Sequence, residues 1–206
     1  MHVSERPTQA ERSARSRSAL LESAARGLSR HGYARLNLEQ VAREAGYTRG
    51  ALYHQFEDKQ ALAFAVIQWV DEAWRAEVGP LIDRESDPAD ALLAMARGHA
   101  IFCRRDVARV VMALRVEFSG QDHPVGREIE RVSESGIKRV AKLIQAGRRQ
   151  GSIPPGPPAA TVAQAFVGAI EGTVIALAGQ APHDEQLTAR AAAGVLGIEG
   201  PPPERR

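Results

Sequence analysis

Apolar residues recur at three- and four-residue intervals along most of the chain, and no run alternates strictly in twos. That period predicts an all-α fold of about nine helices. Leu20, Leu21, Ala24, Ala25 and Leu28 make the first stripe. Thr8-Gln9-Ala10-Glu11 ahead of it has the Thr-x-x-Glu form of a capping box, and Gly32 behind it is a stop signal. Asn37, with Gln40 three residues on, opens a second helix carrying Leu38, Val41, Ala42 and Ala45 and ending at Gly46. Thr48 caps a short third helix to about Phe56, and Asp58 a long fourth one through Leu62, Val66 and Trp69 to Val78, where Gly79-Pro80 should end it. Five more helices are expected over 88–103, 106–118, 124–150, 157–179 and 184–196, with Pro154-Pro155-Gly156-Pro157-Pro158 as a stiff connector. There is no internal repeat.

Composition narrows the setting. Of 206 residues, 44% are apolar and 25% charged, the balance of an ordinary globular chain, and alanine alone accounts for 35, which favours helix. Cys103 is the only cysteine, so no disulfide framework is available and a reducing cytoplasm is expected. The first residues are polar and Arg-rich, without the apolar core of a secretory leader. The stretch 158–179 is long and apolar, but Gln164 and Glu171 lie inside it, and a carboxylate at mid-bilayer costs several kcal/mol. An interface helix, not a membrane span, is the expectation. Charge is uneven: residues 1–66 hold ten Lys and Arg against seven Asp and Glu, a net +3, while residues 67–206 hold seventeen against eighteen, a net −1. The excess over the first third fits a nucleic-acid partner for that part alone, although many solvated surfaces are as basic.

The chemistry concentrates between Leu38 and Lys59. Ala42, then Gly46 four later and Leu52 six after that, is the spacing of a helix-turn-helix. Ala42 is small where the second helix crosses, Gly46 suits a left-handed turn, and Val41, Leu52 and Leu28 can close a small core. The second helix would then show Thr48, Arg49, Tyr53, His54 and Gln55 outward, a hydrogen-bonding and aromatic set unlike an ordinary Glu/Lys face. An αα-hairpin within a helical bundle has the same spacing, so spacing alone leaves both readings open.

The local residues go further. Gly46-Tyr-Thr-Arg-Gly-Ala-Leu-Tyr-His-Gln-Phe-Glu-Asp-Lys-Gln-Ala-Leu, extended back through Gly32-Tyr33 and Leu38-Glu39-Gln40-Val41-Ala42, closely resembles the DNA-binding signature of the tetracycline-repressor (TetR/AcrR) family of bacterial transcription regulators. The resemblance covers roughly residues 13–66 and implies a helix-turn-helix DNA-binding domain there. An effector-binding and dimerisation domain is implied over 67–198, with 1–12 and 199–206 as flexible tails. It also implies roles for single residues. Tyr53 is placed to contact phosphate and a thymine methyl, and Lys59 to grip a phosphate beside a helix N-terminus. Asn37, Thr48 and Arg49 would reach phosphate or base edges, Gly50 and Ala51 would let the helix sink into the groove, and His54 would carry sequence choice. Gln55 stands where many members have a phosphate-contacting histidine. Leu36 replaces a customary threonine and Tyr47 a small aliphatic residue, removing one phosphate contact and offering another. Arg6, Arg12, Arg15 and Arg17 ahead of the signature form either a groove-reaching arm or a solvated tail.

A single recognition helix reads only a few base pairs, so a homodimer on a palindromic double-stranded operator is implied. Ala165, Gly168, Ala169 and Gly172 make one smooth helix face, and Ala191 and Val195 another, and together they suit a four-helix dimer interface. For an unknown small-molecule effector the candidate lining is Met95, His99, Phe102, Met112, Arg115, Phe118, Ile137, Val140, Phe166, Ile170 and Val174, residues that plain core would also explain. Arg115 and Glu117, charges in an apolar helix, would orient a polar ligand group or form a paired edge. His99 and Cys103 lie one turn apart, yet two ligands do not make a metal site, and no cofactor is expected. Neither a Gly-rich phosphate loop nor a catalytic triad ordering occurs, so the expectation is a regulator, most often a repressor in such a family, and not an enzyme. The rival expectation is a helical ligand-binding or scaffold protein without DNA binding.

Overall fold

The computed structural model describes residues 8–177 and 179–200. Among these residues there are nine α-helices and no strand. They are α1 (Gln9–His31), α2 (Leu38–Glu44), α3 (Arg49–Gln55), α4 (Lys59–Asp83), α5 (Pro88–Phe102), α6 (Val110–Glu117), α7 (Pro124–Gln150), α8 (Ala159–Leu177) and α9 (His183–Leu196), with a 3-10 turn over Asp106–Arg109 ahead of α6.

The helix starts are the ones the capping residues prescribe. Thr8 Oγ1 accepts from the Glu11 amide at 3.2 Å while the Glu11 carboxylate accepts from the Thr8 amide at 2.7 Å, a complete capping box. Residues 8–12, expected in a tail, therefore cap and begin α1. Residues 1–7, with Arg6, lie outside the described residues, as do 201–206. Asn37, Thr48 and Asp58 each accept an amide hydrogen from the first turn of α2, α3 and α4.

One expected stop fails. α4 continues through Gly79-Pro80 to Asp83. A proline inside a helix forfeits one backbone bond, but burial outweighs it: Val78 and Ile82 are buried, and Gly98 of α5 lies so close that a Cβ there would meet Leu81 Cδ1 at 2.9 Å.

Two compact units result. The first runs through Trp69 and also takes in Arg109–Glu128, so α6 and the turn after it share the unit of α1, α2 and α3. Leu20, Leu28, Val41, Leu52, Phe56 and Leu62 form its core, with Leu114 and Val125 from the later segment. The second comprises Val70–Ala108 and the chain from Ile129 onward. There α5, α8 and α9 pack together over Leu92, Ala96, Phe166, Ile170, Ala189 and Ala192. Arg104, just after α5, clasps Asp184 at the start of α9 through two bonds of 2.9 and 2.7 Å. Asp184 is buried, and the guanidinium holds its carboxyl below the usual range.

α8 is long and apolar enough to cross a membrane by length and composition. It is two-faced, however: Val162, Phe166, Ile170 and Val174 are buried, while Ala165, Gly168, Gly172 and Ile175 stand exposed.

Candidate nucleic-acid interface

The α2–α3 turn is built as its residue types require. Gly46 takes φ +80°, the left-handed conformation that only glycine adopts at little cost, and the Tyr47 amide donates to the Ala42 carbonyl at 2.8 Å to close the helix end. Ala42 is buried, and Ser23 of α1 donates its hydroxyl to the Val41 carbonyl at 3.0 Å. α3 drives only Leu52 into this core. Most of the rest of the short helix faces out.

That outward face carries Thr48, Arg49, Gly50, Tyr53 and His54, all exposed, with Ala51 half-buried between them. Tyr53 leaves 42% of its surface in solvent. The Arg49 guanidinium lies 5.4 Å from the Tyr53 ring centroid and pairs with the Glu39 carboxylate on α2. Tyr53 first, then Glu39, shift the guanidinium further toward its charged form. Asn37 is exposed, but its side-chain oxygen is committed to the Glu39 and Gln40 amides, which leaves its NH2 group for an outside acceptor.

Three residues are arranged in ways their sequence positions did not announce. Gln55 is half-buried and donates to Ser13 of α1 at 3.0 Å, while its carbonyl accepts from Arg17, whose guanidinium stacks 4.6 Å from the Phe56 ring. Gln55 and Arg17 thus fasten α3 to α1. Leu36 is buried against Gly27, where a Cβ would come within 2.8 Å of Leu36 Cδ1, so its side chain serves the core. Lys59 donates to the Ala34 carbonyl at 3.0 Å and holds its ammonium 4.8 Å from the Tyr33 ring. Arg12 and Arg15, on the first turns of α1, are exposed.

The loop between α1 and α2 is also gripped by α6. The Glu117 carboxylate accepts from the Tyr33 amide at 2.6 Å and the Ala34 amide at 2.8 Å. Tyr33 packs against Phe118 at 5.5 Å and His123 at 5.3 Å, and those two rings stack at 4.5 Å. Burial first, then the Asp58 and Glu117 carboxylates, push the Tyr33 phenol above its ordinary pKa. Glu117, read in sequence as a ligand-orienting or paired charge, is therefore a backbone clasp. The local signal was only a carboxylate in an apolar helix, and its partners lie more than eighty residues earlier.

The other candidates fall as follows. Met95, Phe102, Val140, Phe166, Ile170 and Val174 are buried and His99 and Ile137 half-buried in the second unit, whereas Met112, Arg115 and Phe118 belong to the first. His99 Nδ1 accepts from Trp74 Nε1 at 3.2 Å, with the Cys103 sulfur 3.7 Å from Nε2. Among the described residues no group of three His, Cys, Asp or Glu could hold a metal ion. An open cleft of about 320 Å³ in the second unit is lined by Ile82, Asp83, Ser86, Pro88, Arg139 and Lys142 among others, none of them an expected effector residue. On α8, Ala165, Gly168 and Gly172 are exposed and Ala169 half-buried, and on α9 Ala191 and Val195 are half-buried.

A tight turn, a small buried crossing residue and a short outward-facing helix define a helix-turn-helix module. Residues 20–66 match the family described as bacterial regulatory proteins, tetR family. It is 26% identical over 140 residues to the A-factor receptor protein of Streptomyces griseus, covering 66% of this chain but 46% of that relative, less than half its length. The uncharacterised helix-turn-helix regulator YfiR of Bacillus subtilis is 23% identical over 161 residues, 75% of this chain and 76% of the relative. Two solved structures share the fold. AibR, determined with isovaleryl coenzyme A and operator DNA, has a TM-score of 0.68 at 22% identity over 91% of this chain and 99% of its own. The fatty acid degradation regulator FadR of Bacillus halodurans has a TM-score of 0.74 at 15% identity over 90% and 97%.

Proposed function

We propose that the chain is a sequence-specific DNA-binding transcriptional regulator, a homodimeric repressor that a small-molecule effector releases from a palindromic operator. The observation that carries this is the outer face of α3, where Thr48, Arg49, Tyr53 and His54 are exposed together around Gly50. A face with this chemistry and so little bulk at Gly50 and Ala51 fits a major groove, which offers acceptors to Arg49 and thymine methyls to Ala51 and Tyr53. Asn37 and Lys59, with Arg12 and Arg15, supply phosphate contacts around it. The exposed small-residue face of α8, with Ala191 and Val195 of α9, is the dimer surface, since two recognition helices about 34–36 Å apart are needed to read a palindrome.

The second unit is where an effector would bind, around Met95, His99, Phe102, Phe166 and Ile170. The AibR structure pairs this fold with isovaleryl coenzyme A. The protein acts in the cytoplasm, where the buried Cys103 stays reduced. It is not an enzyme and needs no cofactor.

Gel-shift titration against the DNA upstream of its own gene tests the reading. The account expects a retarded complex whose affinity falls steeply with salt, and Tyr53→Ala should weaken it by about tenfold or more with helical content unchanged. A protein that retards no duplex at low salt is a ligand-binding helical protein instead.

A further inference from the structure

We propose that Glu117 is a positioning residue for duplex binding: from the end of α6 it fixes the Tyr33–Ala34 peptide segment that in turn aims Lys59. This rests on the DNA-binding reading above, and on geometry within the first unit alone.

Ala34 is gripped from two sides. Its amide donates to Glu117 Oε1 at 2.8 Å, and its carbonyl accepts from Lys59 Nζ at 3.0 Å. The neighbouring Tyr33 amide donates to Glu117 Oε2 at 2.6 Å, so both carboxylate oxygens are used. Two successive N–H groups converging on one anion form a backbone nest. The Tyr33 ring meanwhile lies 4.8 Å under the Lys59 ammonium and is walled by Phe118 and His123. With the ammonium bonded to Ala34 and held beside the ring, its remaining donor capacity is confined to fewer directions, one of them open to a phosphate. Free lysine side chains, by contrast, must surrender rotamer freedom when they bind.

The placement of the carboxylate is costly for α1. It stands just past that helix's C-terminus, the negative end of the dipole, where a cation would be preferred. Gly32 is shaped to admit it: at φ +74°, any Cβ there would sit 2.6 Å from Glu117 Oε2. Ala34 is exposed and Tyr33 half-buried, so only one of the two bonds lies toward the core. The bond to Ala34, which opposes the dipole and buries little, is explained by what it orients.

The test is a double-mutant cycle of Glu117→Ala and Lys59→Ala, read by fluorescence anisotropy on a mixed-sequence duplex of about 30 bp across a salt series, because phosphate contacts dominate such binding whatever the sequence. Each single substitution should weaken binding severalfold and lower the salt slope by about 1.8, the loss of one phosphate contact from each subunit of the dimer. The double variant should bind no more weakly than Lys59→Ala. Glu117→Gln, which keeps an acceptor oxygen, should restore part of the loss, and Glu117→Ala combined with His54→Ala should be simply additive. Additive losses for Glu117 and Lys59, or an unchanged slope in Glu117→Ala, overturn the proposal. If Glu117→Ala does not fold, the cycle built on Glu117→Gln decides by the same criteria. A wild-type protein that binds no duplex would instead overturn the functional reading itself.

Discussion

Helices α3 and α8 each keep one side out of the core, and the two exposed sides are opposites. On α3 a single leucine is buried and the free side holds an arginine, a tyrosine, a histidine and a threonine. On α8 a full stripe is buried, and the free side is mostly small and apolar, with Ala165, Gly168, Gly172 and Ile175, the last 63% exposed, and with Thr161 and Gln164 as its exposed polar residues toward the N-terminal end. An exposed polar-aromatic surface loses nothing by staying wet until a charged partner arrives. A smooth apolar one is disfavoured in water and is stabilised by covering it with another apolar surface, for which a second copy of the same face is the simplest match. The contrast supports the proposal that duplex DNA meets one surface and a second copy of the chain the other.

The largest break in that contrast comes from charging the smooth face. In the proposed dimer Ile175→Glu puts a charge from each subunit into the apolar interface, which costs several kcal/mol. Sedimentation should show a monomer, and duplex affinity should fall with it even though α3 is untouched. A variant that stays dimeric and binds normally would place the interface elsewhere.

The next effect separates the buried side of α9 from both exposed faces. Asp184 has its carboxyl lowered by Arg104, so the pair contributes stability that is complete above the ordinary carboxylate pKa of about 4. As pH falls through the lowered folded value, that contribution disappears. Asp184→Asn should cost about 1–3 kcal/mol at neutral pH by denaturant titration, kept modest by the 30% exposure of the Arg104 side chain. The gap between variant and wild type should close as acid is added. A gap independent of pH would contradict the ion-pair account.

The smallest effect sharpens the α3 side. Glu39 and Arg49 pair with 63% and 60% of their side chains exposed, an arrangement worth at most about 1 kcal/mol. Glu39→Gln should free the guanidinium and raise affinity for mixed-sequence DNA by up to about fivefold, measured by anisotropy. Weaker binding would mean that Glu39 aims Arg49 at the duplex instead of holding it back.

Local chemistry made much of the first unit legible from sequence. Thr8, Asn37, Thr48 and Asp58 act on amides two or three residues away, and Gly46 needs only its own φ, so their roles follow from residue type and spacing. What stayed hidden depends on distant partners. Glu117 meets a loop more than eighty residues earlier, Gln55 reaches Ser13 forty-two residues back, and α4 outlasts Gly79-Pro80 because α5 packs on it. The attachment of residues 109–128 to the first unit has the same origin: nothing in the Val110–Phe118 pattern says which helices it will meet. The outward face of α3 lies between these cases. Periodicity assigned its orientation, but the ion pair with Glu39 and the anchoring of Gln55 depend on where α2 and α1 lie beside it.

Selection of bound duplexes from a random-sequence pool, followed by sedimentation of the complex with the recovered DNA, tests the central claim most directly. The account predicts an enriched inverted repeat whose half-sites lie about one helical turn apart, carrying an even number of protein chains and lost on Tyr53→Ala. Recovery of no common sequence, or of a lone half-site held by a single chain, would contradict it.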